Sequence, residues 1–329
     1  MIALMPMVRR HAVIATVILL AALASCTNHG IPKNRSIETT FPKQPQVASL
    51  GRELRVVTFN IHMEPGHKIA RAVRSDPVLR AADVIFLQEV ERDERQPTPC
   101  SAACELGKEL GYHVAYAPGH AVEKGSHGVA ILSRAPITSA EVIELPFFNV
   151  HVNSGRRVAL AATIDVDGTP VTVYAVHLDN RLDVRDRRTQ MIPVLIHAAR
   201  QDTPIIMGGD FNTSHFTWLF HLIPIPTTTQ DNYLEDLMRA HGFDTPVTNS
   251  GPTHVALAMR LDAIYTRGFK TTKFAVSDAR RVSDHLALWA QMHLPPNAPA
   301  TAATATTTTT SSSASISASV STAAAASAM

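Results

Sequence analysis

The chain has 329 residues, room for one large domain or two small ones, and its 45% hydrophobic and 18% charged residues permit a sizeable core. The net charge of +2 argues against a chain built mainly to coat nucleic acid, although a local basic face is compatible with it.

The amino terminus carries an export pattern. Arg9 and Arg10 precede an apolar run from Ala12 to Ala24, which closes on Leu23-Ala24-Ser25-Cys26. This is a positive n-region, a short h-region and a small-residue cleavage site. The run is too short to span a bilayer comfortably. Leu-Ala-Ser-Cys resembles the bacterial lipobox, which implies a signal peptide over residues 1–25, cleavage before Cys26 and lipid on its sulfur. Thr27, where an Asp is absent, implies sorting to the outer membrane, with the protein facing the periplasm or the cell surface. Once Cys26 is assigned, Cys100 and Cys104 remain, and an exported protein meets an oxidising compartment. A disulfide between them is feasible if the segment is a loop entering a helix, and unfavourable within one regular helix.

Residues 26–50 are polar, carry Pro32, Pro42 and Pro45, and read as a tether. Residues 51–294 form one strand-rich domain. Leu54–Phe59 and Asp83–Leu87 are β-branched apolar runs of strand length. Between them Lys68–Ala82 is mostly helical, interrupted at Pro77. Ala103–Leu110 is a helix stopped by Gly111. Strand patterns follow at Gly128–Leu132, Val158–Val166 and Val171–His177, the last two joined by the Asp167-Gly168 turn signal. Leu182–Arg200 has helical spacing with Pro193 inside it. Pro204–Asn212 is a buried strand ending in two glycines, an acid and an amide. His215–Pro226 is unusually apolar; a buried helix against a sheet is the expected reading, with lipid contact or a pocket wall as the alternative. Tyr233–His241 is a short helix, and strands resume at Leu261–Thr266, Thr271–Val276 and Leu286–His293. Residues 295–329, nearly all Ala, Thr and Ser after a Pro-rich start, form a disordered tail by composition. Strict strand–helix alternation fails, so stacked sheets with outer helices are favoured over a doubly wound sheet.

Polar residues recur at strand ends: Asn60 and His62, Gln88 and Glu89, His177 and Asp179, Asp210 and Asn212, then Asp262 and Ser283-Asp284-His285. Each alone is ordinary; the series is not. In order, Thr58-Phe-Asn-Ile61, Leu87-Gln-Glu-Val90, Gly128-Val-Ala-Ile-Leu-Ser133, Val176-His-Leu178, Gly208-Gly-Asp-Phe-Asn212, Leu261-Asp262 and Ser283-Asp-His285 resemble the motifs of the endonuclease/exonuclease/phosphatase superfamily, the deoxyribonuclease I-like group. The resemblance covers about residues 51–294. It implies an α/β fold, a four-layer α/β/β/α sandwich of two packed, mainly antiparallel sheets with outer helices.

It also implies roles. Phosphoester hydrolysis needs a cation, a positioned water and donors for developing charge. Mg²⁺, with Mn²⁺ as substitute, suits oxygen ligands and keeps several waters. Glu89 is the expected principal ligand, assisted by the Asn60 oxygen, with Asp284 as an outer or second-metal ligand. Asp210 orients or deprotonates water, and Asn212 holds Asp210 or a phosphoryl oxygen. Asp262 fixes and charges His285, which touches the phosphoryl group. His177 stabilises or protonates the leaving side. Asp210 and His285 both stand as the base. Arg157, in preference to Arg156, is the substrate-facing cation, and His62, His67 and His127 read as solvated or structural.

The expected function is a Mg-dependent phosphodiesterase acting outside the cytoplasm on a phosphoester substrate, whether lipid head group, nucleic acid or small molecule. An exported nuclease with the same residues is the alternative, and a non-catalytic surface-binding lipoprotein a second. The aromatic content of 5% and the lack of a basic loop suited to a groove lean away from DNA.

Overall fold

The computed structural model describes residues 30–42, 47–150, 155–219, 223–277 and 282–296. The signal peptide, Cys26 and nearly all of the tail lie outside the described residues.

Two sheets form from the apolar runs. The seven-stranded sheet contains β1 (Glu38–Thr40), β2 (Glu53–Asn60), β3 (Val84–Asp93), β4 (His113–Val122), β5 (Gly125–Ser133), β13 (Lys270–Val276) and β14 (Leu288–His293), in the order β1-β4-β5-β3-β2-β14-β13. The five-stranded sheet contains β6 (Ile137–Glu144), β7 (Val158–Val166), β8 (Thr169–His177), β9 (Ile205–Asp210) and β12 (Asp262–Arg267), in the order β12-β9-β8-β7-β6. Within these sheets only β2/β3 and β8/β9 pair in parallel. A parallel neighbour requires a crossover. α1 (Gly66–Ser75) lies on the first and α3 (Val184–Ala199) on the second.

Alternation along β3 shows how the layers are made. Val84 and Phe86 join the core between the sheets, whereas Ile85 and Leu87 pack with Ile69, Val73 and Leu106 of α1 and α2 (Ala102–Leu110). A strand covered on both faces reads as one continuous apolar run. On the far side Met191, Leu195 and Met238, from α3 and α4 (Gln230–Ala240), are buried in the cluster that includes the second sheet. The result is the four-layer sandwich.

The two glycines of β9 permit close approach, Gly208 to the other sheet and Gly209 to the neighbouring strand β8. A Cβ on Gly208 would stand 2.3 Å from the Phe86 ring, and one on Gly209 would stand 2.2 Å from the Val176 carbonyl oxygen. Neither position has room for a side chain.

Local signals worked where their physics is short-range. Ser101 caps α2 by accepting from the Cys104 amide (3.1 Å), and Gly111 ends it at φ +74°. Cys100 therefore precedes the helix and reaches Cys104 in a disulfide with Cα atoms 5.5 Å apart, the loop-to-helix arrangement that the spacing requires. α1 stops at Ser75 before Pro77, and a short 3₁₀ turn, Leu79–Ala81, follows. Pro193 sits inside α3 without ending it.

Three stretches differ from expectation. The apolar run after Asn212 is not a buried helix. It forms a hairpin of β10 (Phe216–Leu219) and β11 (Ile223–Pro226), with Trp218 opposite Pro224 and Phe216 opposite Pro226. Two prolines spaced by one residue remove the donors a helix needs, while a two-stranded ribbon tolerates them. β4, where no strand was expected, runs through Pro118-Gly119 by means of a register shift between Pro118 and His120. Finally, much of the tether sequence belongs to the domain: Glu38–Thr40 pairs with β4, and Leu50 is buried and bridges Val166.

Candidate active site

The parallel pairs bring their carboxyl ends to one edge of the sandwich. Asn60 ends β2 opposite Gln88, and His177 ends β8 opposite Asp210. Antiparallel pairing then sets Asp262 beside Asp210 on β12, and the segment before β14 supplies Asp284 and His285. A cleft of about 550 Å³ opens there, lined by Glu89, Asp210, Asn212, Asp284, His285 and Arg157 among others.

The backbone is bent to present these groups. Among the described residues six non-glycines have left-handed φ, and four of them, His62, Met63, Glu89 and Asn212, line this cleft. Such conformations cost energy and persist only where surrounding structure imposes them. At Glu89 the cause is visible: the β3–β5 register shifts between Leu87 and Val90, a bulge that turns the Glu89 carboxylate out of the ladder.

Asp210 is the hub. Its Oδ2 accepts from Asn60 Nδ2 (3.0 Å) and lies 3.7 Å from Nε2 of both His177 and His285. Its Oδ1 accepts from the Asn212 amide (2.9 Å). Burial drives its carboxyl upward, and Asp262 adds to this, while His285 and the hydrogen bonds from Asn60 and Asn212 oppose it; the outcome is about 7.

His285 is held from behind by Asp262, whose Oδ2 lies 2.8 Å from Nδ1. Burial disfavours the imidazolium, but Asp262 and Asp210 outweigh burial and raise it to about 10. His285 is thus a cation at neutral pH, with Nε2–H facing Asp210. His177 behaves oppositely. Burial first, then Arg157 and the neighbouring histidines, pushes it well below the usual imidazole range. Arg157 Nη1 lies 3.2 Å from Nδ1, so Nδ1 accepts and Nε2 carries the proton toward Asp210. The two imidazoles flanking Asp210 therefore differ in charge, and both offer a donor.

The sequence-selected residues converge with adjustments. Asn60 points its amide nitrogen at Glu89 Oε1 (3.0 Å) and Asp210, while its Oδ1 accepts from the His62 amide (3.0 Å). That oxygen, expected to assist a metal, is turned to the backbone. Asn212 holds Asp210 through its main-chain amide, and its side chain donates to Leu178 O (2.9 Å). Arg157 faces the cleft, whereas Arg156 is taken by Glu144 and by the carbonyls of Pro118 and Gly119.

Asp284 sits between two histidines, 3.7 Å from His62 Nδ1 and 3.6 Å from His254 Nε2. Burial works against its charge, but the His254 hydrogen bond and the nearby imidazoles of His285 and His62 prevail, holding it at about 2. The Leu257 amide donates to His254 Nδ1 (3.2 Å), which leaves the proton on Nε2, toward Asp284. His254 is therefore a donor to this carboxylate in preference to a metal ligand. Glu89 and Asp284 are the carboxylates lining the cleft that stay partly exposed, as oxygen donors to a cation that retains water would be.

Sequence reasoning missed several cleft residues. His62 and His127, set aside as solvated or structural, line it, as do His120, Asn180, His254 and Trp218. His120 and His127 are buried, with ring nitrogens 3.2 Å apart. His120 lies beyond the Pro-Gly of β4 and His254 on an irregular segment, so no periodic signal marked either. Asn180 follows His177-Leu178-Asp179 directly, a proximity that would have found it. His67 is exposed, as expected.

A family model described as Endonuclease/Exonuclease/phosphatase family matches residues 57–285. The Escherichia coli K12 protein YbhP is 28% identical over 271 residues, covering 77% of this chain and all of its own length. An endonuclease/exonuclease/phosphatase from Beutenbergia cavernae superposes with a TM-score of 0.61 at 26% identity, covering 74% of this chain and 72% of that one. TDP2 of D. rerio, solved with a single-strand DNA product, shares the fold at a TM-score of 0.53 and 17% identity, over 73% of this chain and 99% of its own. The chain therefore belongs to the endonuclease/exonuclease/phosphatase family, whose members hydrolyse phosphoester bonds.

Proposed function

We propose that the protein is a Mg²⁺-dependent phosphodiesterase acting outside the cytoplasm, with Asp210 as the base. The observation that carries this reading is the contrast around Asp210: a carboxylate raised to about 7, facing a charged His285 and a neutral His177, each 3.7 Å away. A group poised near operating pH is the effective proton acceptor. His285, already protonated, cannot accept, and serves as a donor to a phosphoryl oxygen.

Divalent-metal dependence is general in the family. A cation held by Glu89 and Asp284 would neutralise phosphoryl charge. The remaining work falls to the chain. Asp210 accepts the proton of the attacking water; Asn60 and the Asn212 amide keep both carboxylate oxygens aimed. His177 donates through Nε2 to the oxygen that gains charge, and Arg157 both fixes that tautomer and adds positive potential. Retention of Asn60, Glu89, His177, Asp210, Asn212, Asp262, Asp284 and His285 in one geometry counts against a purely binding role.

The test uses the purified full chain with a generic phosphodiester, DNA and phospholipid, each with Mg²⁺ and with chelator. Hydrolysis that needs Mg²⁺ and disappears in Asp210→Asn is expected. Activity untouched by chelation would remove the metal reading, and cleavage of DNA alone would make the protein a nuclease.

A further inference from the structure

The described chain begins beside the mouth of the cleft. The Gly30 carbonyl accepts from the Ala121 amide (2.8 Å). Ala121 stands between His120 and Val122, both of which line the cleft, and Val122 also shares a shallow groove with Ile31, Pro32 and Lys33. Cys26 precedes Gly30 by four residues. Four residues reach at most about 14 Å even fully extended. Lipid on Cys26 would thus keep this wall of the cleft on a leash, within about 14 Å of the bilayer surface.

The hairpin contributes an apolar edge to the same mouth. Its pairing puts Phe216, Trp218, Pro224 and Pro226 on one face, and Thr217, Leu219, Ile223 and Ile225 on the other. Phe216 and Trp218 line the cleft. On the opposite face Leu219, Ile223 and Ile225 are 45%, 52% and 40% exposed. The Arg181 guanidinium lies 4.8 Å from the Trp218 ring centroid, adding a cation beside this ribbon. An aliphatic row on a two-stranded ribbon is a binding surface or a liability. No helix among the described residues is long and apolar enough to cross a membrane.

The geometry points to a lipid bilayer as the partner of the Leu219–Ile223–Ile225 face, with the cleft opening onto that surface and its substrate a phosphoester presented there. The inference rests on lipidation of Cys26 and on the phosphoesterase reading, and it adds the direction in which the site faces. The aliphatic row enters the headgroup boundary on one side of the mouth while the leash holds the other.

The full lipidated chain, reconstituted in vesicles of phosphatidylethanolamine and phosphatidylglycerol containing a nitroxide-labelled phospholipid, provides the test. The chain has two tryptophans, so quenching present in the wild type and lost in Trp218→Phe belongs to Trp218. Replacing Leu219, Ile223 and Ile225 together by Ser should weaken the docking equilibrium at least about tenfold, read from that quenching. These three side chains do not line the cleft, so hydrolysis of a soluble phosphodiester should be unchanged. Unquenched Trp218, or equal quenching in the triple variant, overturns the docking. A dimer in detergent that shields Trp218 and persists on vesicles would assign the face to a second copy instead. Quenching that persists in Asp210→Asn separates docking from catalysis, and mass spectrometry of an unacylated Cys26 would remove the leash.

Discussion

The two sheets each contain one parallel crossover pair, and the two pairs end in different carboxylates. β2–α1–β3 delivers Glu89 on a left-handed bulge, with its side chain 22% exposed beside Asn60. β8–α3–β9 delivers Asp210 with its side chain 2% exposed, enclosed by two imidazoles and two amide donors. A carboxylate left in contact with water suits a hydrated cation. One withdrawn among donors is raised toward neutral pH and suits proton transfer. One topology, used twice, yields two carboxylate environments because only one of the strands bulges.

The largest expected effect separates these environments. Asp210→Asn should lower kcat about 10²–10⁴-fold with little change in KM, and added metal should not restore it. Glu89→Gln should fall as far at low Mg²⁺ yet recover substantially at high Mg²⁺ or with Mn²⁺. A metal titration on both variants checks this. Equal recovery, or none in either, would erase the division of labour between the two halves.

The pH profile tests the buried half. Asp210 must be ionised, so kcat/KM rises as pH passes about 7, and His285 must be protonated, so it declines as pH approaches about 10. Asp262 raises His285, so Asp262→Asn lowers that pKa and moves the alkaline limb toward neutrality by more than about one unit. The same substitution also relieves Asp210 of a like charge, which lowers the acid limb. An unmoved alkaline limb would mean that His285 is not the group that titrates there.

The difference between the halves also explains what the sequence conveyed. Motifs at the carboxyl ends of β2, β3, β8 and β9 were legible because strand runs are continuous and their polar ends abrupt, and the residues they selected do meet. The roles within the meeting were less legible. The Asn60 oxygen is turned to the backbone, and Asn212 holds Asp210 by its main-chain amide in place of its side chain, because orientation depends on bulge and φ, which residue type does not reveal. His120 follows the Pro-Gly irregularity of β4 and His254 lies on an irregular segment, so no periodicity marks either. The 215–226 stretch was misread because apolar composition signals burial by default, whereas its prolines select an exposed ribbon. Long-range pairing, which sets β1, β4 and β6 in place, leaves little trace in local pattern.

A smaller effect lies where the halves touch. Gly208 has no side chain where Phe86 of the other sheet packs. Gly208→Ala should destabilise the fold by about 1–3 kcal/mol as an overpacking change. Phe86→Leu in the same chain should recover part of that loss, because the clash is with the ring. Chemical denaturation of both variants and the double gives the coupling. Strict additivity would place the strain elsewhere, at the backbone of β9.

The smallest effect concerns Asn212, and it distinguishes side chain from main chain. Its φ of +51° favours Gly or Asn, and the amide it donates to Asp210 survives any substitution that preserves this backbone. Asn212→Gly should therefore cost less than about tenfold in kcat, reflecting only loss of the bond to Leu178 O. Asn212→Val, β-branched at a left-handed position, should cost far more by displacing the amide from Asp210. If Gly and Val are equally impaired, the Asn212 side chain itself meets the phosphoryl group, and the left-handed turn after β9 is a support and not the working part.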